Sequence, residues 1–292
     1  MNEKREFIFT DLACEAYSEH SADCSGVSST EYELCGMVIN ELKITDKSAE
    51  RLLGKARGTY VTIQTGKLWE LGEEAREAAV KVISDTLNDL MHSVGRRIEG
   101  VLVCGLGNRM VTPDAVGPIT VDAVTVTRHI REESPDLYAS LSPYDVSAVT
   151  PGVVGQTGME TAELVKGAVS TVKQDIVLVI DALAARSRER LATTVQLTDT
   201  GIRPGSGIGQ KRRELSRETL GVPVIAIGVP TVISGATLAY DLLLEGGAPP
   251  SGPTLRAIED ASPFFLSLNE SDLVVGTLAG VVASAINRTL LG

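Results

Sequence analysis

The sequence lacks most of the groups by which a function is first read. Its four cysteines (Cys14, Cys24, Cys35 and Cys104) show no CxxC spacing, so neither a zinc ribbon nor a dithiol redox pair is signalled. Histidine occurs three times, at His20, His92 and His129, too few for a His-rich zinc site. Positive charge is in deficit: 27 Lys and Arg against 38 Asp and Glu give a formal net charge of −11. That balance argues against a protein that binds nucleic acid by neutralising phosphates. Residues 1–10 carry Glu3, Lys4, Arg5 and Glu6 and show no secretory pattern, so reduced thiols in a cytoplasm are expected. The uncharged run over residues 273–286 is too short for a bilayer and reads as a buried helix. No internal repeat is present.

The glycine and serine motifs are incomplete as well. Gly105-Leu106-Gly107 follows an apolar run, but Met110 stands where the third glycine of a dinucleotide fingerprint belongs, and no Walker lysine pattern occurs. A tight turn is the plainer reading of that loop. Ser206 in PGSG (204–207) is not a nucleophile elbow, because Pro204 replaces the required glycine.

What is present is an alternation of strand-like and helix-like runs in a chain of 292 residues that is 43% hydrophobic, the signature of a soluble α/β protein. Residues 1–55 are polar and weakly periodic until a strand at 35–45; 48–53 reads as a short helix and 58–64 as a second strand. Apolar residues at helical spacing (Ala79, Val80, Val82, Ile83, Leu87, Leu90, Met91) predict a long amphipathic helix over 73–93. From residue 100 the pattern becomes strand–helix–strand. Strands are predicted at 101–104, 146–149, 176–180, 193–197 and 222–228. Helices are predicted at 116–130, 159–172 (with Thr157 as its N-cap), 232–244 and 271–291. The economical fold is a mostly parallel, twisted α/β sheet flanked by helices on both faces, with a smaller N-terminal β-containing subregion. Residues 12–99 form that subregion, 100–245 the core sheet, 246–270 a loop opening on GGAPPSGP, and 271–291 a C-terminal helix.

Two acids stand out. Asp114 follows the run 101–104 and its glycine turn; Asp181 follows the apolar run 176–180. α/β folds place chemistry at the carboxyl ends of parallel strands. Each acid alone reads as a helix cap. Brought together across one sheet, two carboxylates raise one pKa and supply an acid and a base from one residue type. His129 reads either as a surface helix-end residue or as a third ligand that, with Asp114 and Asp181, would hold a divalent ion. The loop DTGIRPGSGIG (199–209), followed by Lys211, Arg212 and Arg213, reads as a binding loop or a surface excursion.

Six motifs then occur in order: GLGNRMVTPDAVGP with the following VTRH, PGVVGQTGMET (151–161), IDALAARSRER (180–190), DTGIRPGSGIGQKRRE (199–214) and GVPVIAIGVPT (221–231). Together they resemble the spore germination proteases of endospore-forming bacteria, from about Phe9 to the final helix. The resemblance implies an endopeptidase, without a cofactor, that degrades the small acid-soluble proteins coating spore DNA. It implies a fold like that of the hydrogenase maturation proteases, a homotetramer, a location in the cytoplasm of the spore core, and no direct contact with nucleic acid or membrane. The family's proposed catalytic aspartates fall on Asp114 and Asp181. Backbone amides of Gly155 and Gly158, or of Gly205, Gly207 and Gly209, are the candidate oxyanion donors. A zymogen is also implied. TDLACE (10–15) has the acid–apolar–small–x–acid form of the family's cleavage sites, so residues 1–11 are the expected propeptide and Asp11–Leu12 the expected self-cleavage bond. Members usually carry an acid where Ser234 stands; that position is either catalytic or a helix cap, and serine serves only the second role.

Overall fold

A computed structural model describes residues 9–20, 24–141, 144–205, 212–261 and 264–292. Among them nine strands make one sheet: β1 (Val27–Leu34), β2 (Met37–Ile44), β3 (Gly58–Gln64), β4 (Gly100–Gly105), β5 (Asp145–Val149), β6 (Ile176–Ala185), β7 (Thr194–Thr198), β8 (Val224–Ser234) and β9 (Phe265–Leu266). Their order is β1-β2-β3-β7-β8-β6-β4-β5, with β9 against β8. Parallel pairing is confined to β5, β4, β6 and β8. The N-terminal strands extend that half as an antiparallel continuation of the same sheet. The α/β sheet with helices on both faces is as expected; the antiparallel share is larger than a βαβ reading allows, because β7 returns beside β8 in the opposite direction.

Side-chain alternation divides the core. Ile176, Leu178 and Ile180 of β6 join Val101 and Val103 of β4 beneath the helices Glu73–Ser93 and Ser271–Leu291. Val177 and Val179, with Leu102 and Cys104, face the opposite way and meet Val165 and Val169 of the helix Thr161–Val172. Burial on both faces explains why β4 and β6 read as unbroken apolar runs. Each fully buried aliphatic side chain contributes about 1.5–3 kcal/mol, so Leu178→Ala would cost about 2–5 kcal/mol. The helix Ser271–Leu291 has the length and apolarity of a membrane span. Its face of Val274, Leu278, Val282 and Ile286 is instead packed in this core.

Several boundaries differ from the sequence reading, each for a local reason. β1 was not expected: it is a sheet edge exposed along nearly its whole length, so it lacks the alternation that marks a half-buried strand. The helix predicted over 116–130 is two, Val116–Asp122 and Arg128–Glu133. Between them Thr127 is fully buried, its hydroxyl donating to the Tyr144 carbonyl at 2.8 Å and accepting the Val146 N–H at 2.9 Å. Glu160, not Thr157, caps the helix Thr161–Val172, in a reciprocal capping box with Glu163. The expected loop 246–270 contains the helix Gly252–Asp260, entered through Pro253, and β9. Residues 10–20 also carry structure, with a helix over Ala13–His20.

Candidate functional site

Asp114 is held by a loop that glycine makes possible. After β4 the chain turns through Gly107 at φ +111°, where an added Cβ would lie 2.0 Å from the Asp114 carbonyl oxygen, so a side chain there is excluded twice over, by backbone and by space. The Asn108 N–H donates to Asp114 Oδ2 at 2.7 Å. Asn108 Oδ1 in turn accepts from Met110 N at 3.0 Å and from Gln156 Nε2 at 2.9 Å. The Thr231 hydroxyl donates to the Pro113 carbonyl at 2.6 Å, tying the loop to β8. Asp114 therefore closes its own turn while staying half-buried.

Asp181 sits inside β6, not beyond its end. The strand runs on to Ala185 because β8 continues beside it, pairing Asp181 with Gly228 and Leu183 with Pro230. The carboxyl is 5% exposed, and its recorded hydrogen bond is from the Ala182 N–H to Oδ1 at 3.0 Å. Burial pushes its pKa well above the carboxylate range, and the charges of Asp114 and then of Asp11 push it further. Burial also raises Asp114, while the Asn108 N–H partly offsets the rise. Asp181 thus feels the charge of Asp114, and it is the one that keeps its proton longest.

The third acid beside this pair comes from the chain's own N-terminal segment. The Asp11 N–H donates to the Ala184 carbonyl at 2.9 Å, and the Ala184 N–H returns a bond to Asp11 Oδ2 at 2.9 Å, so the segment lies along β6. Leu12 is fully buried with Leu183 and Ala185. Ala13, also 0% exposed, packs in a cluster with Leu42, Leu53 and Tyr60, and its N–H donates to Gln196 Oε1 at 2.7 Å. Glu15 is buried as well. Its carboxylate accepts the N–H groups of Arg186 and Ser187, each at 2.9 Å, and the Thr10 hydroxyl. Each residue of the acid–apolar–small–x–acid pattern except Cys14 is therefore read by a specific contact.

The carbonyl between Asp11 and Leu12 has two donors of its own. Lys55 Nζ approaches it at 2.8 Å and the Thr10 carbonyl at 3.2 Å; Gln196 Nε2 approaches it at 3.3 Å. Lys55 is positioned by the short helix Lys47–Leu53, which Asp46 caps through the Ser48 N–H and which Gly54 ends in the left-handed conformation. Desolvation lowers the Lys55 pKa, and Asp11, Glu15 and Cys14 oppose that fall. Asp11, Lys55, Tyr60, Leu183, Gln196 and Gly228 line one cleft. Burial lifts the Tyr60 hydroxyl to about 12.

Other expected residues stay apart. His129 is exposed on the helix Arg128–Glu133, beside the amino end of β5, and does not join the aspartates. Among the described residues no three His, Cys, Asp or Glu side chains are grouped to hold a metal ion, so the Asp114–Asp181–His129 ligand set is not assembled. The Gly158 N–H is committed to the Val154 carbonyl at 2.8 Å, and Gly155 is exposed within the helix Val154–Thr157. Gly205 is half-buried in a turn, at φ +69°; Gly207 and Gly209 lie outside the described residues. Ser234 caps the helix Gly235–Glu245 by accepting the Thr237 N–H. The thiols of Cys14 and Cys104 are buried with raised pKa values, the opposite of an activated nucleophile.

Lys55 and Gln196 were not anticipated. A polar residue inside the apolar strand TVQLT was the signal available for Gln196; Lys55 carries none, because its place depends on a contact between distant segments.

Over most of its length the chain is similar to known proteins. The profile of the family described as Germination protease matches residues 3–244. The germination protease of Caldanaerobacter subterraneus subsp. tengcongensis is 46% identical over 239 residues, covering 81% of this chain and 72% of that protein. That of Bacillus pumilus is 46% identical over 220 residues, covering 75% and 58%. That of Priestia megaterium is 42% identical over 247 residues, covering 81% and 66%. The matched stretch thus spans 58–72% of these relatives' own lengths. A solved NiFe hydrogenase maturation protease, HycI from Thermococcus kodakarensis, overlaps 69% of this chain and 98% of its own at 17% identity and a TM-score of 0.36.

Proposed function

From the premise that this chain belongs to the germination protease family, we propose that it is an endopeptidase with an aspartate-pair mechanism, made as a zymogen that cuts its own Asp11–Leu12 bond. Its substrates are small acid-soluble spore proteins bearing the same acid–apolar–small–x–acid sequence. The observation that carries this reading is the company Asp181 keeps: it is buried, and the charges of both Asp114 and Asp11 act on it.

The chemistry follows from the unequal environments of the pair. Asp114, half-buried and stabilised as an anion by the Asn108 N–H, is the base that takes a proton from water. Asp181, the more strongly raised of the two, is the acid that protonates the leaving amine of Leu12. General acid–base catalysis of this kind is worth about 10²- to 10⁴-fold. Recognition rests on contacts the segment already makes: an acid against the Ala184 N–H, an apolar side chain between Leu183 and Ala185, a small residue at Ala13, and a second acid on the Arg186 and Ser187 amides. A substrate would make these contacts once cleavage has let residues 11–15 leave the sheet. Self-association into the family's tetramer is supported by the outer edge of β1, which no strand among the described residues pairs and whose hairpin exposes Tyr32, Leu34 and Val38.

The test is incubation of the full chain with and without an acid-soluble spore protein, in chelator, followed by N-terminal sequencing. New termini at Leu12 and within the substrate motif are expected; an intact chain that binds the substrate without shortening it would overturn the reading.

A further inference from the structure

Sheet register brings a donor and an acid into one row that neither sequence position suggests. Gln196 of β7 pairs with Gly228 of β8, and Gly228 pairs with Asp181 of β6. Residues in register share a face, so the Gln196 amide and the Asp181 carboxyl project to the same side. They are one strand apart, with a residue between them that has no side chain. With the Leu183 side chain standing over it, Gly228 lines the cleft that Asp11 and Lys55 also line. Into it comes the Asp11 carbonyl, with Lys55 Nζ at 2.8 Å and Gln196 Nε2 at 3.3 Å. Gln196 is fixed for this from its other end, since its Oε1 accepts the Ala13 N–H at 2.7 Å. One side chain therefore grips the peptide on both sides of the Asp11–Leu12 bond.

We propose that the Lys55 ammonium and the Gln196 side-chain amide form the oxyanion-binding pair for hydrolysis of the Asp11–Leu12 bond, and that an acidic residue of a substrate lays its carbonyl on the same two donors. This rests on the self-cleavage reading above. Water oxygen bonds to the Asp11 carbonyl carbon as its proton passes to Asp114, and the C=O π pair moves onto oxygen, where the two donors hold it. Collapse restores the carbonyl and breaks the C–N bond. The Leu12 nitrogen takes the proton of Asp181, and the Asp114 proton returns to the pair for the next cycle; one water is consumed and a carboxyl and an amine are left. The glycine amides expected from sequence are not needed for this role. A cation beside a developing oxyanion in a cleft screened from water stabilises it far more than in solvent.

The test uses the full chain and follows the first-order appearance of the Leu12 terminus in wild type, Lys55→Met and Gln196→Met. Loss of one oxyanion donor slows a hydrolase about 10²- to 10³-fold, and that slowing is expected in each variant. A purely anchoring role would show itself differently, by releasing the segment. Amide hydrogen exchange over residues 16–20, whose helical bonds neither variant removes, should therefore stay as protected in the variants as in wild type. In Lys55→Ala, added methylammonium should restore part of the rate. Cleavage within three-fold of wild type in both variants, or slowing that tracks lost protection with no amine rescue, would overturn the assignment. Failure of the wild-type chain to cut at Asp11–Leu12 would instead remove the proposed function on which it stands.

Discussion

Asp181 and Gln196 lie on the same face of the sheet, in strands separated by β8, and Gly228 is the residue between them. An added Cβ at Gly228 would come within 2.3 Å of Leu183 Cδ1, so Gly228→Ala must push Leu183 out of its contact with Leu12. Cleavage should fall about 10²-fold from misplacement of the scissile peptide. The overpacking should cost about 1–3 kcal/mol of stability. Rate and thermal unfolding measured together check both, and an unaltered rate would show that the space over Gly228 is not used.

Asp114→Asn and Asp181→Asn keep the shape of each side chain and remove its ionisation. Each should lower self-cleavage by about 10²- to 10⁴-fold, read as the yield of the Leu12 terminus over time. Because the pair acts as a unit, the double variant should be hardly slower than the worse single one. Additive losses would mean that the two residues act independently.

The pH profile of cleavage should be bell-shaped. Its acid limb reports ionisation of Asp114, displaced upward by burial, and its alkaline limb the loss of the Asp181 proton, displaced further by burial and by Asp114. Both limbs belong to the coupled pair and not to either residue alone. Asp181→Asn should remove the alkaline limb from whatever rate remains. A single-limbed wild-type profile would contradict this.

Stability carries the same signature with a definite sign. A carboxyl whose folded pKa is raised binds its proton in the native state after the unfolded chain has released it. The stabilisation is therefore full below the unfolded value of about 3.9 and is lost as pH rises toward the folded one. Asp181 has the larger rise. Asp181→Asn should thus unfold at a higher temperature than wild type at pH 8, with the difference shrinking toward pH 4. A difference that grows on acidification would reverse the assigned shift.

How far the sequence showed this in advance depends on what kind of signal each element carries. The helix Glu73–Ser93 was legible end to end because its apolar spacing is sustained over its full length. Asp114 and Asp181 were legible as candidates because each interrupts or follows an apolar run. The end of β6 was not, since an acid directly after the run IVLVI (176–180) reads as a stop. In fact burial raises the pKa of Asp181, and a neutral carboxyl can stay in the strand. β1 escaped notice because an edge open on both faces needs no alternation. Lys55 and Gln196 were invisible for a deeper reason: their meeting at one carbonyl is a matter of strand register and of a loop docked across the sheet, and neither is written in local periodicity.

The segment that fills the cleft belongs to the same molecule, joined to the sheet it lies on through Leu12, Ala13 and the helix Ala13–His20. A tethered peptide does not have to be found by diffusion; its local concentration is fixed by the tether and not by the solution. Maturation on the proposed route is thus a unimolecular clock. Diluting the zymogen a thousandfold leaves its half-life unchanged, and already mature neighbours do nothing to hasten it.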